Sequence, residues 1–163
     1  MRNLLAEIYR PKTLDDYVFT DTAQRKQVES WIQERAIPHI LFSGSPGTGK
    51  TTLAKILINS LGVSDLDVME INASRDNGVE YIRQKIEGFV STMPFGDFKI
   101  VLLDEADFLS PNAQAVLRGL METYSESSRF ILTCNYPDKI MPALHSRRSE
   151  EHTSELQSRP HIS

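Results

Sequence analysis

The run Gly44-Ser45-Pro46-Gly47-Thr48-Gly49-Lys50-Thr51 constrains this chain more than any other stretch. It follows the apolar Ile40-Leu41-Phe42 and precedes the helix-like Thr52-Leu53-Ala54-Lys55-Ile56-Leu57. Strand, glycine-rich turn and helix start, in that order, build a phosphate cradle. The glycines let the backbone curl with its N–H groups pointing inward at phosphate oxygens, where a Cβ would intrude. Lys50 can reach the β- and γ-phosphates as a point charge, and the Thr51 hydroxyl can hold Mg²⁺. Gly44, Ser45, Pro46, Gly47, Thr48, Gly49, Lys50, Thr51 and Thr52 are therefore the nucleotide-binding candidates. A glycine-rich surface turn is the bland alternative, and it has no need of every fixed position filled between such flanks.

Apolar runs alternate with helical patterns around this element, which predicts an α/β fold: a parallel sheet with helices on both faces. Strands are expected near Ile40–Ser43, Asp67–Asn72, Lys99–Asp104 and Arg129–Cys134. Lys99-Ile100-Val101-Leu102-Leu103-Asp104 is nearly continuous in apolar residues, as a strand covered on both faces should be. Helices are expected over Thr22–Arg35, Thr51–Ser60, Val79–Ser91 and Pro111–Tyr124. Val79, Ile82, Ile86 and Phe89 recur at helical spacing, as do Val116, Leu117, Leu120, Met121 and Tyr124. Ser110-Pro111 reads as an N-cap followed by proline at the first helical position.

The chain has 163 residues, enough for one domain with a real core. A hydrophobic content of 40% and a charged content of 25% are ordinary for a soluble globular protein. With a net charge of -4, any nucleic-acid contact has to come from a local basic lining. The lone cysteine, Cys134, excludes an internal disulfide framework and fits a reducing compartment. The N-terminal apolar run is too short for a secretory signal, and no stretch is long enough to cross a bilayer, so a cytoplasmic location is the default expectation.

Asp104-Glu105 ends the most apolar strand. In a parallel sheet the carboxyl ends of strands face the ligand crevice, beside the phosphate loop. Asp104 is placed there to organise Mg²⁺, and Glu105 to polarise an attacking water, which suits a hydrolase better than a kinase. An acidic pair simply ending a strand is common, and it is the coupling to the phosphate loop that favours the functional reading. Asn135 follows the apolar run Phe130-Ile131-Leu132-Thr133-Cys134, where an amide could orient water against a γ-phosphate. The pattern alone favours a turn-forming asparagine at that position. Cys134 reads as a small buried hydrophobe rather than a reactive thiol.

Residues 148–163 differ in character from the rest. Arg148-Ser149-Glu150-Glu151-His152-Thr153-Ser154-Glu155-Leu156-Gln157-Ser158 has no sensible apolar period and resembles the translated read-through of a common sequencing-library adapter. The expectation is a domain over residues 1–147, incomplete at its C-terminus, followed by a non-native or disordered tail. A genuine polar tail is the alternative that composition permits.

In combination these motifs resemble a known family, the ATPase domains of sliding-clamp loaders: replication factor C small subunits and their tailed-bacteriophage counterparts. Tyr9-Arg10-Pro11-Lys12-Thr13-Leu14-Asp15-Asp16 is similar to the family's N-terminal box, and Asn72-Ala73-Ser74 with Gly78 to its post-strand box. Leu103-Asp104-Glu105-Ala106-Asp107 matches the acidic box, and Ala115-Val116-Leu117-Arg118-Gly119-Leu120-Met121-Glu122 the helix after it. Thr133-Cys134-Asn135-Tyr136 and Leu144-His145-Ser146-Arg147 complete the series, and Arg118-Gly119 with the last of these leans toward the bacteriophage branch.

The resemblance implies an AAA+ P-loop NTPase that uses ATP and Mg²⁺ and works in a ring-like hetero-pentamer. Its lid and collar domains are not represented in this sequence. Tyr9, Arg10 and Val18 would line the adenine side, and Gly47, Thr48, Gly49, Lys50 and Thr51 would hold phosphates and metal. Asp104 and Glu105 become metal organiser and water activator, Asn135 the γ-phosphate sensor, and Arg147 an arginine finger aimed at a neighbour's ATP. On the residues alone, Arg147 reads as a surface charge, and Arg148 stands where the family usually has cysteine. The implied partners are other loader subunits, a sliding clamp and primer–template DNA, with no membrane. Ser74, Arg75, Val79, Arg83, Lys85, Asn112 and Arg118 become sequence-independent DNA-contact candidates, each of which otherwise reads as a solvated helix face. Asn72, at a strand end, is expected to hold the Glu105 carboxylate away from water until DNA arrives. The implied function is ATP-driven clamp loading, in the cytoplasm or, for a eukaryote, the nucleus. The alternatives are a non-hydrolysing scaffold subunit, a small-molecule kinase, or another ATPase of DNA metabolism.

Overall fold

A computed structural model of the chain describes residues 22–47, 49–142 and 144, together with the backbone of Thr153–Gln157. In chain order the main elements are α1 (Thr22–Glu34), β1 (His39–Ser43), α2 (Lys50–Ser60), β2 (Val68–Asn72) and α3 (Val79–Val90). They continue with β3 (Lys99–Asp104), α4 (Pro111–Thr123), β4 (Ser128–Cys134) and β5 (Thr153–Gln157). The strands form one sheet in the order β2-β3-β4-β1-β5, with every pairing parallel.

Period-two alternation sends successive strand residues to opposite faces, and both faces are covered. Ile40, Phe42, Ile100, Leu102 and Ile131 join Val28 and Trp31 of α1 and Leu53, Ala54 and Leu57 of α2. Leu41, Val101, Leu103, Phe130 and Leu132 join Ile82 and Ile86 of α3 and Leu117, Leu120 and Met121 of α4. The strands β1 and β3 are buried at every position, which is why their sequences read as unbroken apolar runs. The expected helix faces are the observed ones: Ile82, Ile86 and Leu117 are fully buried, and Val79, Phe89, Val116 and Tyr124 pack at the margin.

The helix after β1 lies on one face, and those after β2 and β3 on the other. The crevice beyond the carboxyl ends of β1, β3 and β4 is thus where the winding reverses, the position at which open α/β sheets bind ligands. Each of the four expected strands and four expected helices is present, with boundaries shifted by about a residue. Ser110 caps α4 as expected, its hydroxyl accepting from Ala113 N at 3.1 Å with Pro111 opening the helix.

Sequence analysis assigns no element to residues 148–163, whereas the structure has β5 there, its backbone paired with β1 from His39↔Thr153 to Ser43↔Gln157. Backbone groups of an edge can be satisfied by any residue with an N–H, so a polar segment joins the ladder without an apolar period to announce it. Among the described residues, no helix is long and apolar enough to cross a membrane.

Candidate nucleotide and metal site

Three strand ends build the site. The loop after β1 is anchored at its start by Gly44 N, which donates to Cys134 O at 3.2 Å. Gly47 and Gly49 have φ of 83° and 84°, a left-handed conformation that favours glycine. At Gly47 an added Cβ would meet nothing within 4 Å, so its requirement is conformational rather than spatial. Gly49 is the N-cap of α2, and with no side chain capping that end, the first N–H groups of the helix face the crevice. A helix start of this kind attracts anions.

Lys50 is 8% exposed. Its Nζ donates to Ser45 O at 3.1 Å and to Asn135 Oδ1 at 2.8 Å. Burial pushes its pKa below the usual 10.5 and outweighs the opposing pull of Cys134, Asp104, Asp107 and Glu105. Thr51 Oγ1 donates to Asp104 Oδ1 at 2.7 Å, and Thr133 Oγ1 donates to the same oxygen. A hydroxyl and a carboxylate brought together are hard oxygen donors of the sort Mg²⁺ takes from a protein while keeping waters and substrate phosphates. Among the described residues, no group of three or more His, Cys, Asp or Glu could hold a metal by itself. The donor set fits a metal delivered with a nucleotide.

Glu105 follows at the end of β3 with φ 56° and ψ 48°, left-handed for a residue with a Cβ. Such a conformation costs on the order of 1–3 kcal/mol and persists where surrounding contacts over-determine it. Its N–H donates to Thr133 Oγ1 at 3.0 Å. Asp107, two residues on, returns the link: its Oδ2 accepts from Asn135 N at 3.2 Å and from Tyr136 N at 3.1 Å. Pro46, Gly47, Gly49, Lys50, Thr51, Thr52, Asp104, Glu105 and Asn135 line a single cleft of ≈ 300 Å³, with Thr133 and Cys134 at its base. Two other clefts, one beside Asp67 and Phe98 and one beside His39 and Arg129, open at the amino ends of the strands, away from these groups.

The structure therefore brings together Lys50, Thr51, Asp104, Glu105 and Asn135, as sequence analysis expects. Gly44 and Ser45 sit in the loop, Ser45 through its carbonyl. The assignments of Tyr9, Arg10, Val18, Thr48 and Arg147 lie outside the described residues. Asn72 Oδ1 accepts from Ser74 N at 2.9 Å and Ser74 Oγ at 2.6 Å, and Asn72 pairs with Asp104 in the sheet register. Of the DNA-contact candidates, Arg75, Arg83, Lys85, Asn112 and Arg118 are exposed, and Ser74 and Val79 half-buried. Arg83 and Arg118 pair within their helices with Glu80 at 3.4 Å and Glu122 at 3.6 Å. Sequence reasoning missed what Thr133 and Asp107 do. A threonine inside an otherwise apolar strand and a third acid two residues past an acidic pair were the available signals.

The model of the AAA family (ATPase family associated with various cellular activities) matches residues 40–156, well over half of the sequence. The chain belongs to the AAA ATPase family. Among AAA relatives, replication factor C small subunits of Methanococcus vannielii and Saccharolobus solfataricus are 42% and 46% identical over 151 residues. That of Archaeoglobus fulgidus is 47% identical over 145 residues. These matches cover 90%, 88% and 86% of this chain and 48%, 44% and 45% of theirs, so the chain spans a little under half the length of the curated relatives it matches. The RuvB Holliday junction branch migration motor of Thermotoga maritima superposes with a TM-score of 0.70 at 18% identity, covering 91% of this chain and 48% of that one. A DNA polymerase III gamma subunit-related protein of the same organism gives 0.64 at 17% identity, covering 80% and 45%. At such identities these structures establish the shared AAA fold alone.

Proposed function

We propose that this chain is the ATPase module of a clamp-loader subunit, which hydrolyses ATP to open a sliding clamp and place it on primer–template DNA. The carrying observation is the convergence of Lys50, Thr51, Asp104, Glu105 and Asn135 on one cleft at the winding reversal. Similarity to replication factor C small subunits supports extending this chemistry to replication.

In this reading the loop N–H groups and the start of α2 take the phosphates, and Lys50 exchanges the neutral oxygens of Ser45 and Asn135 for charged ones. Thr51 and Asp104 hold Mg²⁺, which when bound neutralises charge on the phosphates. Glu105 takes the proton of the attacking water, and Asn135 orients that water. Arg147 of one subunit reaches the nucleotide of the next, so turnover depends on assembly into a hetero-pentamer; such a finger is worth roughly 10³–10⁵ in rate. Tyr9, Arg10 and Val18 line the adenine side. Basic residues of α3 and α4 track DNA phosphates without reading sequence, and turnover rises with DNA and clamp. The working location is the cytoplasm, or the nucleus in a eukaryote.

The test is phosphate release by the chain and its Glu105→Gln variant, each assembled with its partner loader subunits, with and without primed DNA and clamp. Glu105→Gln keeps ATP binding within about threefold and lowers turnover by at least about 100-fold, as expected when a group acts in the chemical step. Normal turnover in that variant would remove Glu105 from catalysis.

A further inference from the structure

We propose that Thr133 is a positioning residue for ATP hydrolysis: its hydroxyl fixes the Glu105 main chain in the left-handed conformation that sets where the Glu105 carboxylate points. This rests on the reading of Glu105 as the water activator.

The strands β3 and β4 pair from Lys99↔Ser128 to Leu103↔Leu132. Beyond that register, the residues that carry the chemistry are joined through side chains. Thr133 is the first of these on β4. Its hydroxyl is used in both senses at once, donating to Asp104 Oδ1 and accepting from Glu105 N at 3.0 Å. One oxygen thus touches two successive residues of the acidic pair, and its proton is committed to the first. That direction leaves a lone pair for the second. Thr133 is 1% exposed, so water has little access to replace the hydroxyl if it is removed.

Glu105 is where such a link matters. Its φ of 56° is one that a side-chain-bearing residue adopts only when neighbouring contacts enforce it. Rotation about that residue swings the carboxylate relative to Lys50, Thr51 and Asp104, which are fixed by the loop and by the sheet. On the far side, Asp107 holds Asn135 N and Tyr136 N, so the two strand ends are tied reciprocally. Asp107 holds the sensing asparagine to the acidic strand, and Thr133 holds the acidic pair to the sensing strand. Of the two, the threonine contacts the residue under strain.

The experiment compares the chain with Thr133→Val, which keeps shape and loses the hydroxyl, and Thr133→Ser, which keeps the hydroxyl. Three readouts are taken: amide exchange of Glu105 without nucleotide, affinity for a fluorescent ATP analogue with Mg²⁺, and steady-state phosphate release by the chain assembled with its partner loader subunits. In Thr133→Val the Glu105 amide exchanges at least about tenfold faster, reporting the lost link. Its kcat falls roughly 10- to 100-fold, the range found when a supporting contact is removed from a reacting group. Nucleotide affinity stays within about threefold, and Thr133→Ser matches the parent within about threefold in all three readouts. Thr133→Ala carries the same expectation as Thr133→Val where valine does not fold. Unchanged Glu105 exchange in the hydroxyl-free variants overturns the proposal, as does unchanged turnover, an equal loss of binding and turnover, or failure of serine to rescue. If Glu105→Gln itself turns over normally, the catalytic reading fails, while the amide-exchange comparison still decides whether the hydroxyl fixes the backbone.

Discussion

Replacing Glu105 by glycine should leave the protein more stable than replacing it by alanine, while either change abolishes turnover. The sign follows from the backbone. At φ 56° and ψ 48° a residue with a Cβ bears a left-handed penalty of about 1–2 kcal/mol, which glycine does not. Against this, glycine gains conformational freedom in the unfolded chain, worth about 0.4–1 kcal/mol relative to alanine. Both variants lose the same carboxylate, so its interactions cancel between them. Glu105→Gly should therefore exceed Glu105→Ala by roughly 0.5–1 kcal/mol, the reverse of the order at an ordinary helix or strand position. For a chain of this size that is a difference of roughly 1–4 °C in midpoint. Urea titrations of the two variants, with equal slopes, give the comparison directly. Equal stabilities, or alanine the more stable, would refute the claim that the Glu105 carboxylate is carried on a strained main chain. The native glutamate would then need some other reason for its geometry.

Two further expectations concern buried charges. Burial lowers the Lys50 pKa below 10.5, so the free folded protein releases that proton at lower pH than the unfolded chain does. The cost of the buried charge is present in full below the folded pKa and disappears as pH rises from there toward 10.5, so this group adds stability with rising pH in that window. A triphosphate favours the charged lysine; nucleotide affinity should accordingly fall over the same window, and the fall should be absent in Lys50→Met. A flat affinity profile for the parent chain through pH 10.5 contradicts this. Asp67 is fully buried and accepts from Phe95 N at 2.9 Å and Gly96 N at 2.8 Å. Asp67→Ala should cost about 2–3 kcal/mol in urea unfolding, less than two fully buried charged bonds because water can reach the exposed turn, and a loss under about 1 kcal/mol would count against it.

The elements were legible because their signals are local. Lys99–Asp104 reads as a covered strand from its own composition, and Ser110-Pro111 announces α4 by itself. The phosphate loop carries its chemistry in consecutive residues, so Lys50 and Thr51 needed no fold to be named. Asn135 was harder: alone it reads as a turn residue, and only the adjacency of β4 to β1 brings its amide against Lys50. Thr133 and Asp107 each act across 28 residues of sequence, on Glu105 and Asn135 respectively, through a register that no local pattern states. Lys99 shows the same limit from the other side. A lysine suggests surface, yet it is 3% exposed, its ammonium donating to Phe89 O at 2.6 Å and to Thr92 Oγ1 and lying 4.5 Å from the Phe89 ring centroid. β5 escaped notice because edge pairing requires backbone groups rather than an apolar face.

Those cross-strand links explain how an otherwise ordinary sheet can hold the groups lining the cleft in register. A parallel ladder satisfies its own backbone up to its last pair, and past that pair main-chain groups must find other partners. Here most find side chains: Glu105 N takes Thr133 Oγ1, and Asn135 N and Tyr136 N take Asp107 Oδ2, while Ala73 N takes the main-chain Asp104 O at 2.9 Å. Each of these bonds joins one strand end to its neighbour, so displacing one segment strains the next. The phosphate loop joins the same framework through Gly44 N to Cys134 O and Lys50 to Asn135. A ligand that draws Lys50 from Asn135 therefore acts on β4, and β4 acts on Glu105 through Thr133. On the proposed function, nucleotide occupancy should therefore be coupled to the geometry of the Glu105 carboxylate along contacts of a single bond each, and substitution at any one should be felt at the others.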